Sequence, residues 1–272
     1  MKKILIVLAL ALLCACEETI VLDLNENGSA VVIEALLTNQ MGHHYVKVGR
    51  TGGFYDVGRT PRITDAIVTV TDELGNSFDF EHQPDSAGYY FAVNPFAGRV
   101  GGTYTLTVQA QGQTYTATET LLRVTTIDSL TVEYSEDGFV DDDGTERFYD
   151  VLIYTTEPQD TEDYYLFKFF RNGAVENEDG DGVYYANDDA IAENIEGIEF
   201  PDYYAVGDTM RLEMYSLTRM AYLFYFDLET NVNNDGGLFS PQPANPRSNI
   251  SNGAMGLFQV SAVESASIVI EN

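Results

Sequence analysis

Thr103-Tyr104-Thr105-Leu106-Thr107-Val108-Gln109-Ala110-Gln111-Gly112-Gln113-Thr114-Tyr115-Thr116-Ala117-Thr118-Glu119-Thr120-Leu121 is the stretch that decides the fold. Tyr104, Leu106 and Val108 fall on one face of an extended chain and threonines on the other, the period of two that a strand with one buried face requires. Gln111-Gly112 turns the chain and Thr114 to Leu121 returns beside it, which makes a β-hairpin. Upstream, Ala66, Val68 and Val70 alternate with Ile67, Thr69 and Thr71. Leu74-Gly75-Asn76 then turns into Ser77 to Glu81, and Gly88 to Val93 follows. The β-branched run Ala30 to Leu37 and Tyr45 to Gly49 add two more strands across a Gly-His-His loop. Seven short strands punctuated by turns predict an immunoglobulin-like or transthyretin-like β-sandwich over residues 30–122.

Downstream the alternation lapses around Arg123 to Asp128, where a domain boundary is placed. Residues 123–272 read as a second β-rich domain. Leu130 to Tyr134, Phe148 to Thr155, Tyr164 to Arg171 and Thr209 to Tyr215 are its strands. Acidic loops at Glu136 to Glu146, Glu157 to Asp163 and Glu176 to Gly182 lie between them, and Val183-Tyr184-Tyr185 opens another short pleated stretch. Leu217, Met220, Ala221, Phe224 and Leu228 recur at helical spacing, so one helix is predicted near residues 216–231, with Ser216 as its cap and Asn233 to Gly237 as its end. It is apolar on its other sides too, which wedges it against a sheet. Pro241 to Gly253 is a proline-rich loop, and Ala254 to Ala262 and Ile268 to Glu271 close the chain as strands.

The first eighteen residues speak of location. Lys2-Lys3, an apolar run from Ile4 to Leu13, and Leu13-Cys14-Ala15-Cys16 have the order of a lipoprotein export signal, with cleavage after residue 15. The run is short of the roughly 20 apolar residues that span a bilayer. Cys16 is thereby expected to carry acyl chains that fasten the protein to a membrane, with residues 16–29 as a polar tether. Cys14 leaves with the signal, so the lipidated sulfur is the single cysteine left and neither a disulfide framework nor a thiolate metal site is expected.

Acidic residues number 43 against 14 basic ones, for a net charge of −29. Loss of Lys2 and Lys3 makes the mature chain more negative still. Such a surface repels nucleic acid and anionic lipid and favours cations and basic partners, although solubility alone explains most of these carboxylates.

Several of these segments together resemble a known group. Ala66-x-Val68-x-Val70-x-Asp72-x-x-Gly75, Gly88-x-Tyr90, Gly102-x-Tyr104-x-Leu106, the helix after Tyr215-Ser216-Leu217, and Pro243-x-Asn245-x-x-Ser248-Asn249-Ile250-x-Asn252-Gly253-Ala254-x-Gly256-x-Phe258 resemble an uncharacterised family of Bacteroidota outer-membrane lipoproteins. The resemblance spans nearly the whole mature chain, and its most specific part is Ser248-Asn249-Ile250 to Phe258. It implies an outer-membrane address and an accessory role beside a TonB-dependent receptor, since members are often encoded next to such receptors. It also implies that Glu17-Glu18, directly after the lipidated cysteine, signal export to the cell surface. The family has no agreed activity, so it supplies no catalytic residue.

The candidate chemistry is sparse. Asn177-x-Asp179-x-Asp181-Gly182 followed by Asp188 has the spacing of a Ca2+ loop, with oxygen ligands at alternate positions and a glycine for the sharp turn; a solvated acidic loop is the favoured reading of the same residues. Asp141-Asp142-Asp143-Gly144 is a weaker version of it. His43-His44 and His82 lack the companions of a zinc site, and His43-His44 reads as loop surface. No G-x-S-x-G elbow marks a serine nucleophile, and no pair of carboxylates stands out for glycoside hydrolysis. Tyr89-Tyr90, Tyr164-Tyr165, Tyr184-Tyr185 and Tyr203-Tyr204 either present rings to a sugar or peptide or send one ring inward and one outward; the pleat favours the second. The loop carrying Asn245, Ser248, Asn249 and Asn252 is either a partner-binding edge or a rigid crossing that seats the last strand. The leading expectation is a non-catalytic, surface-exposed lipoprotein that serves a TonB-dependent transporter. A carboxylate-dependent surface hydrolase and an adhesion or spacer module are the alternatives.

Overall fold

The computed structural model describes residues 29–42, 44–52, 60–176, 182–188, 194–200, 202–234 and 244–271. Cys16, Glu17, Glu18, Asn177, Asp179 and Asp181 lie outside them. The chain is mainly β, as its alternation requires. All seven strands expected in the first half form: β1 (Val31–Thr38), β2 (Tyr45–Arg50), β3 (Ile67–Asp72), β4 (Ser77–His82), β5 (Tyr89–Ala92), β6 (Thr103–Ala110) and β7 (Gln113–Thr120). The second half contributes β8 (Ile127–Val140), β9 (Glu146–Thr156), β10 (Tyr164–Arg171), β11 (Ala174–Val175), β12 (Tyr184–Asn187), β13 (Asn194–Glu199), β14 (Thr209–Leu217), the helix α1 (Arg219–Val232), β15 (Met255–Ser261) and β16 (Val263–Val269).

The first sheet runs β15-β1-β2-β5-β4-β3-β6-β7. Its edge strand β15 comes from the far end of the chain and lies parallel to β1, with Ala35 opposite Phe258. A parallel bridge between Leu122 and Ser261 brings the two ends of this path together. The sheet thus curls around one core in which Ile33, Leu37, Val48, Leu106, Leu121 and Phe258 are all buried. Gly256 is required at this seam. Its φ is +105°, and a Cβ there would stand 2.1 Å from the Ile33 carbonyl oxygen, so only a residue without a side chain lets β15 lie against β1.

The second sheet runs β11-β10-β14-β16, with β12 also paired to β10, and the third runs β13-β9-β8. One face of the second sheet packs on the third through Val151, Phe169, Tyr204, Met210, Leu212 and Ile270. Its other face carries α1 and meets the first sheet through Tyr164, Leu166, Leu217, Ala221, Leu257 and the half-buried Leu36. Covered on both sides, β10 does not alternate: Tyr164-Tyr165-Leu166-Phe167 is continuously apolar or aromatic, as expected of a doubly buried strand. Tyr164 and Tyr165 are accordingly both buried, against the in-and-out pattern expected of a one-faced strand. Tyr89-Tyr90 does follow that pattern, with Tyr90 buried and Tyr89 on the outer face.

Three further expectations are corrected. The acidic segment Glu136 to Glu146 is mostly strand rather than loop, because β8 continues to Val140 and pairs there with β9. Only Asp141 to Thr145 turns, and Gly144 at φ +87° supplies the left-handed residue. Ser216 does not cap the helix, since β14 runs through it to Leu217. Thr218 takes the cap, its hydroxyl accepting from the Ala221 N–H. Ser216 Oγ instead donates to the Leu122 carbonyl at 2.8 Å and accepts from Ala262 N–H at 2.9 Å, at the one-residue step where the chain leaves β15 in the first sheet for β16 in the second. His44 is buried rather than loop surface: Thr38 N–H donates to Nδ1, Nε2 stands 2.8 Å from the Phe96 carbonyl, and the ring packs edge-on against Phe96.

Candidate functional site

Between the second and third sheets lies a cavity of about 550 Å³. Strand register builds it: Phe167 of β10 stands opposite Met214 of β14, and both reach the same space as Phe169, Ile153 of β9, Tyr184 of β12 and Phe200. An aromatic and aliphatic wall with a few convergent polar groups is what small-molecule pockets share.

The polar lining of the cavity holds Thr125, Thr155 and Glu199 together with two tyrosine–carboxyl couples. Tyr165 Oη donates to Glu157 Oε1 at 2.7 Å. Tyr185 Oη donates to the Glu229 carboxylate, which α1 presents. Tyr204 with Glu176, Tyr164 with Glu162 and Tyr215 with Glu213 repeat the couple elsewhere in the same half of the chain. The reason is compositional. With 14 basic residues for 43 acidic ones, many carboxylates here cannot find a cation, and a phenolic hydroxyl is the donor an aromatic-rich core can offer. Burial first, and then the neighbouring carboxylates, push the hydroxyls of Tyr165, Tyr185 and Tyr204 well above their ordinary value, so they remain donors.

Glu157 sits at a junction of chain segments. It follows β9 directly, and Pro158 holds it extended. Asp163 precedes β10 directly, and Asp188 follows β12. Pairing of β12 with β10 sets Asn187 opposite Tyr164 and so brings the two aspartates together: Asp188 N–H donates to the Asp163 carbonyl at 3.1 Å, and Asp163 N–H donates to Asp188 Oδ2 at 2.8 Å. One oxygen each from Glu157, Asp163 and Asp188 lies within 4.8 Å of the other two. Glu157 is 1% exposed and Asp163 6%. Burial pushes the Glu157 carboxyl up; Tyr165 pulls it back, the charges of Asp163 and Asp188 add to the rise, and Arg123 opposes it. Arg123 reaches Asp163 Oδ2 at 3.1 Å and divides itself with Asp160 at 2.6 Å.

A family model for a domain of unknown function, DUF4249, matches residues 17–267. The chain belongs to this family. No curated protein matches it. Among solved structures, a DUF4785 family protein from Legionella pneumophila is similar at 6% identity and a TM-score of 0.22, over 68% of this chain and 52% of that one. The chain therefore spans about half of that protein, and a likeness at this level carries no argument.

Within this DUF4249 chain the expected site residues separate. Of the predicted calcium loop, Asp188 is described, and it faces Glu157 and Asp163; Asn177, Asp179 and Asp181 lie outside the described residues. The triple aspartate at residues 141–143 is an internally bonded turn: Asp141 and Asp143 both accept from Thr145 N–H, and Arg147 holds Asp141 at 2.9 Å. The described part of the proline-rich loop, from Ala244 on, lies largely at the surface but bonds back to the first sheet. Asn249 bonds Phe258 and Glu119, Asn252 donates to the Thr114 carbonyl, and Ser248 Oγ accepts from Ile250 N–H at 3.2 Å. Asn245 is exposed. Sequence reading does not find Glu157 and Asp163 as a unit, because they stand at opposite ends of a segment that reads as an acidic loop. Their positions flush against the apolar strands on either side were the available signal.

Proposed function

We propose that this protein is a lipid-anchored, non-catalytic binding protein of the outer-membrane surface, which captures a mainly apolar or aromatic ligand and serves a TonB-dependent transporter. The observation that carries the binding role is the cavity between the second and third sheets, walled by Phe167, Phe169, Ile153 and Met214 and edged by the Tyr165–Glu157 and Tyr185–Glu229 couples. Such a lining suits a flat or elongated ligand with hydrogen-bonding groups at its ends. The address rests on Cys16 and on Glu17-Glu18, and the transporter on the resemblance to outer-membrane lipoproteins encoded beside such receptors.

Binding is tested with an environment-sensitive apolar dye and Met214→Trp, which puts an indole into the cavity and narrows it. Dye bound by the native chain and not by the folded variant supports capture. Equal binding, or none by either, places the dye elsewhere and removes the reading. The transporter is tested by affinity purification from detergent-solubilised outer membrane, where recovery of a β-barrel receptor is expected and failure to recover any counts against the partnership. The anchor is tested by mass spectrometry of the mature amino terminus, which should begin at an acylated Cys16.

A second reading has one observation in its favour, since Glu157 and Glu229 both line the cavity and a carboxylate pair in a cleft is what glycoside hydrolysis uses. Turnover of chromogenic glycosides by the native chain, lost in both Glu157→Gln and Glu229→Gln, would establish it. Absence of turnover leaves the binding role.

A further inference from the structure

We propose that Glu157, Asp163 and Asp188 form a binding site for one hard divalent cation, Ca2+ by its ligand chemistry, which ties the β9–β10 connection to the end of β12. The argument begins with charge. Three carboxylates converge, two of them almost fully buried, and the one cation shown bonded to any of them is Arg123, which reaches Asp163 and is shared with the exposed Asp160. Buried like charges without compensation are costly, and a structure that gathers them needs a positive partner.

The second observation is a single atom. Glu157 Oε1 accepts from Tyr165, but Oε2 is buried and, among the described residues, hydrogen-bonds to nothing. Buried polar atoms are almost always partnered, and an orphan beside two other carboxylates points to a ligand that supplies charge rather than a hydrogen. A protonated Glu157 could instead donate to one of the neighbouring aspartates, and the calcium titration below separates that outcome from an ion.

Geometry and donor type then select the ion. Oxygens within 4.8 Å of one another can all sit at the roughly 2.3–2.6 Å that Ca2+ requires of its ligands. The donors are all carboxylate oxygens, with neither imidazole nor thiolate among them, which favours Ca2+ over zinc or copper. The fold holds them ready: β12–β10 pairing fixes Asp188 against Asp163 before any ion arrives, and Tyr165 fixes the Glu157 head group. The site differs from the loop that sequence spacing alone suggested, sharing only Asp188 with it. It shares Glu157 with the edge of the cavity, but the two readings have separate tests, and each can fail while the other stands.

The test uses the full chain, stripped with a chelator and titrated with CaCl2 by calorimetry, alongside thermal unfolding with and without the ion. One specific Ca2+ per chain and a raised unfolding midpoint are expected, with affinity weakened by roughly tenfold or more when ligand charge is removed in Asp188→Asn. That variant keeps an amide oxygen to accept from Asp163 N–H, so the local hydrogen bonding survives. Asp142→Asn, in the exposed turn, controls for diffuse binding to an acidic surface and should titrate like the native chain. Because the chain has no tryptophan, Tb3+ gives a second readout: Tyr165 should sensitise its emission, Tyr165→Phe should dim it, and Ca2+ should displace it. No heat and no midpoint shift in the native chain, or equal Ca2+ affinity in the native chain and Asp188→Asn, would overturn the site.

Discussion

Asn249 holds the Phe258 peptide by both of its groups: the side-chain Nδ2 donates to the Phe258 carbonyl at 2.8 Å, and Oδ1 accepts from the Phe258 N–H at 3.0 Å. The amide therefore takes the place of a neighbouring strand along the free edge of β15. The same Nδ2 donates to Glu119 of β7 at 2.9 Å, so one side chain joins the first and last strands of the eight-stranded sheet. Ser251 adds to this by donating to the Thr116 carbonyl through its N–H and accepting from Thr116 N–H through its Oγ. The loop chiefly closes the sheet.

From this follows the first prediction. Asn249→Ala removes three hydrogen bonds, two of them to backbone groups left facing a closed seam, and should cost about 2–4 kcal/mol. Urea unfolding measures it. A variant as stable as the native chain that has lost a partner protein would instead make Asn249 a contact residue.

Gly256 tests the same seam from its other side. Gly256→Ala places a methyl against the Ile33 carbonyl at 2.1 Å and forces a side chain to φ +105°, for an expected loss of about 3 kcal/mol or more. Gly253 has a comparable φ of +73° with open space around it, so Gly253→Ala should cost only the left-handed backbone preference, about 1–2 kcal/mol. The difference between the two, read from unfolding midpoints, isolates the clash.

Glu119 gives a pH dependence. Burial holds its carboxyl above the usual glutamate range, with the Asn249 and Thr218 hydrogen bonds pulling partly back. A group raised on folding contributes stability that is full below the unfolded value and lost as pH rises through the folded one. Glu119→Gln keeps an acceptor for Asn249 and does not ionise. It should therefore be more stable than the native chain at neutral pH, with the gap closing below about pH 4. Urea midpoints across pH measure it, and a gap that widens in acid would refute the assignment.

Asp208 has the opposite sign. Burial raises its carboxyl, but Ala205 N–H, Asn172 and the Arg147 guanidinium at 2.9 Å outweigh that and leave it below the ordinary aspartate value. Its contribution is present above the unfolded value and lost as pH falls through the folded one. Asp208→Ala unties the β8–β9 hairpin from the β10–β11 turn and should cost about 2–4 kcal/mol at neutral pH. The loss should shrink in acid, where the native carboxylate is itself neutralised.

What the sequence determined by itself is the local periodicity. Alternation at Val68 and Val70 and at Tyr104, Leu106 and Val108 was enough to place strands, because a strand that buries one face must repeat every two residues whatever lies beside it. The spacing of Met220, Ala221, Phe224 and Leu228 found the helix for a similar reason. Only the tertiary structure decided which strands meet. Parallel placement of β15 beside β1, the two-sided cover that buries both Tyr164 and Tyr165, and the convergence of Glu157, Asp163 and Asp188 are contacts between segments far apart in the chain. No local pattern encodes them, since they depend on which surfaces remain to be covered once each strand has formed.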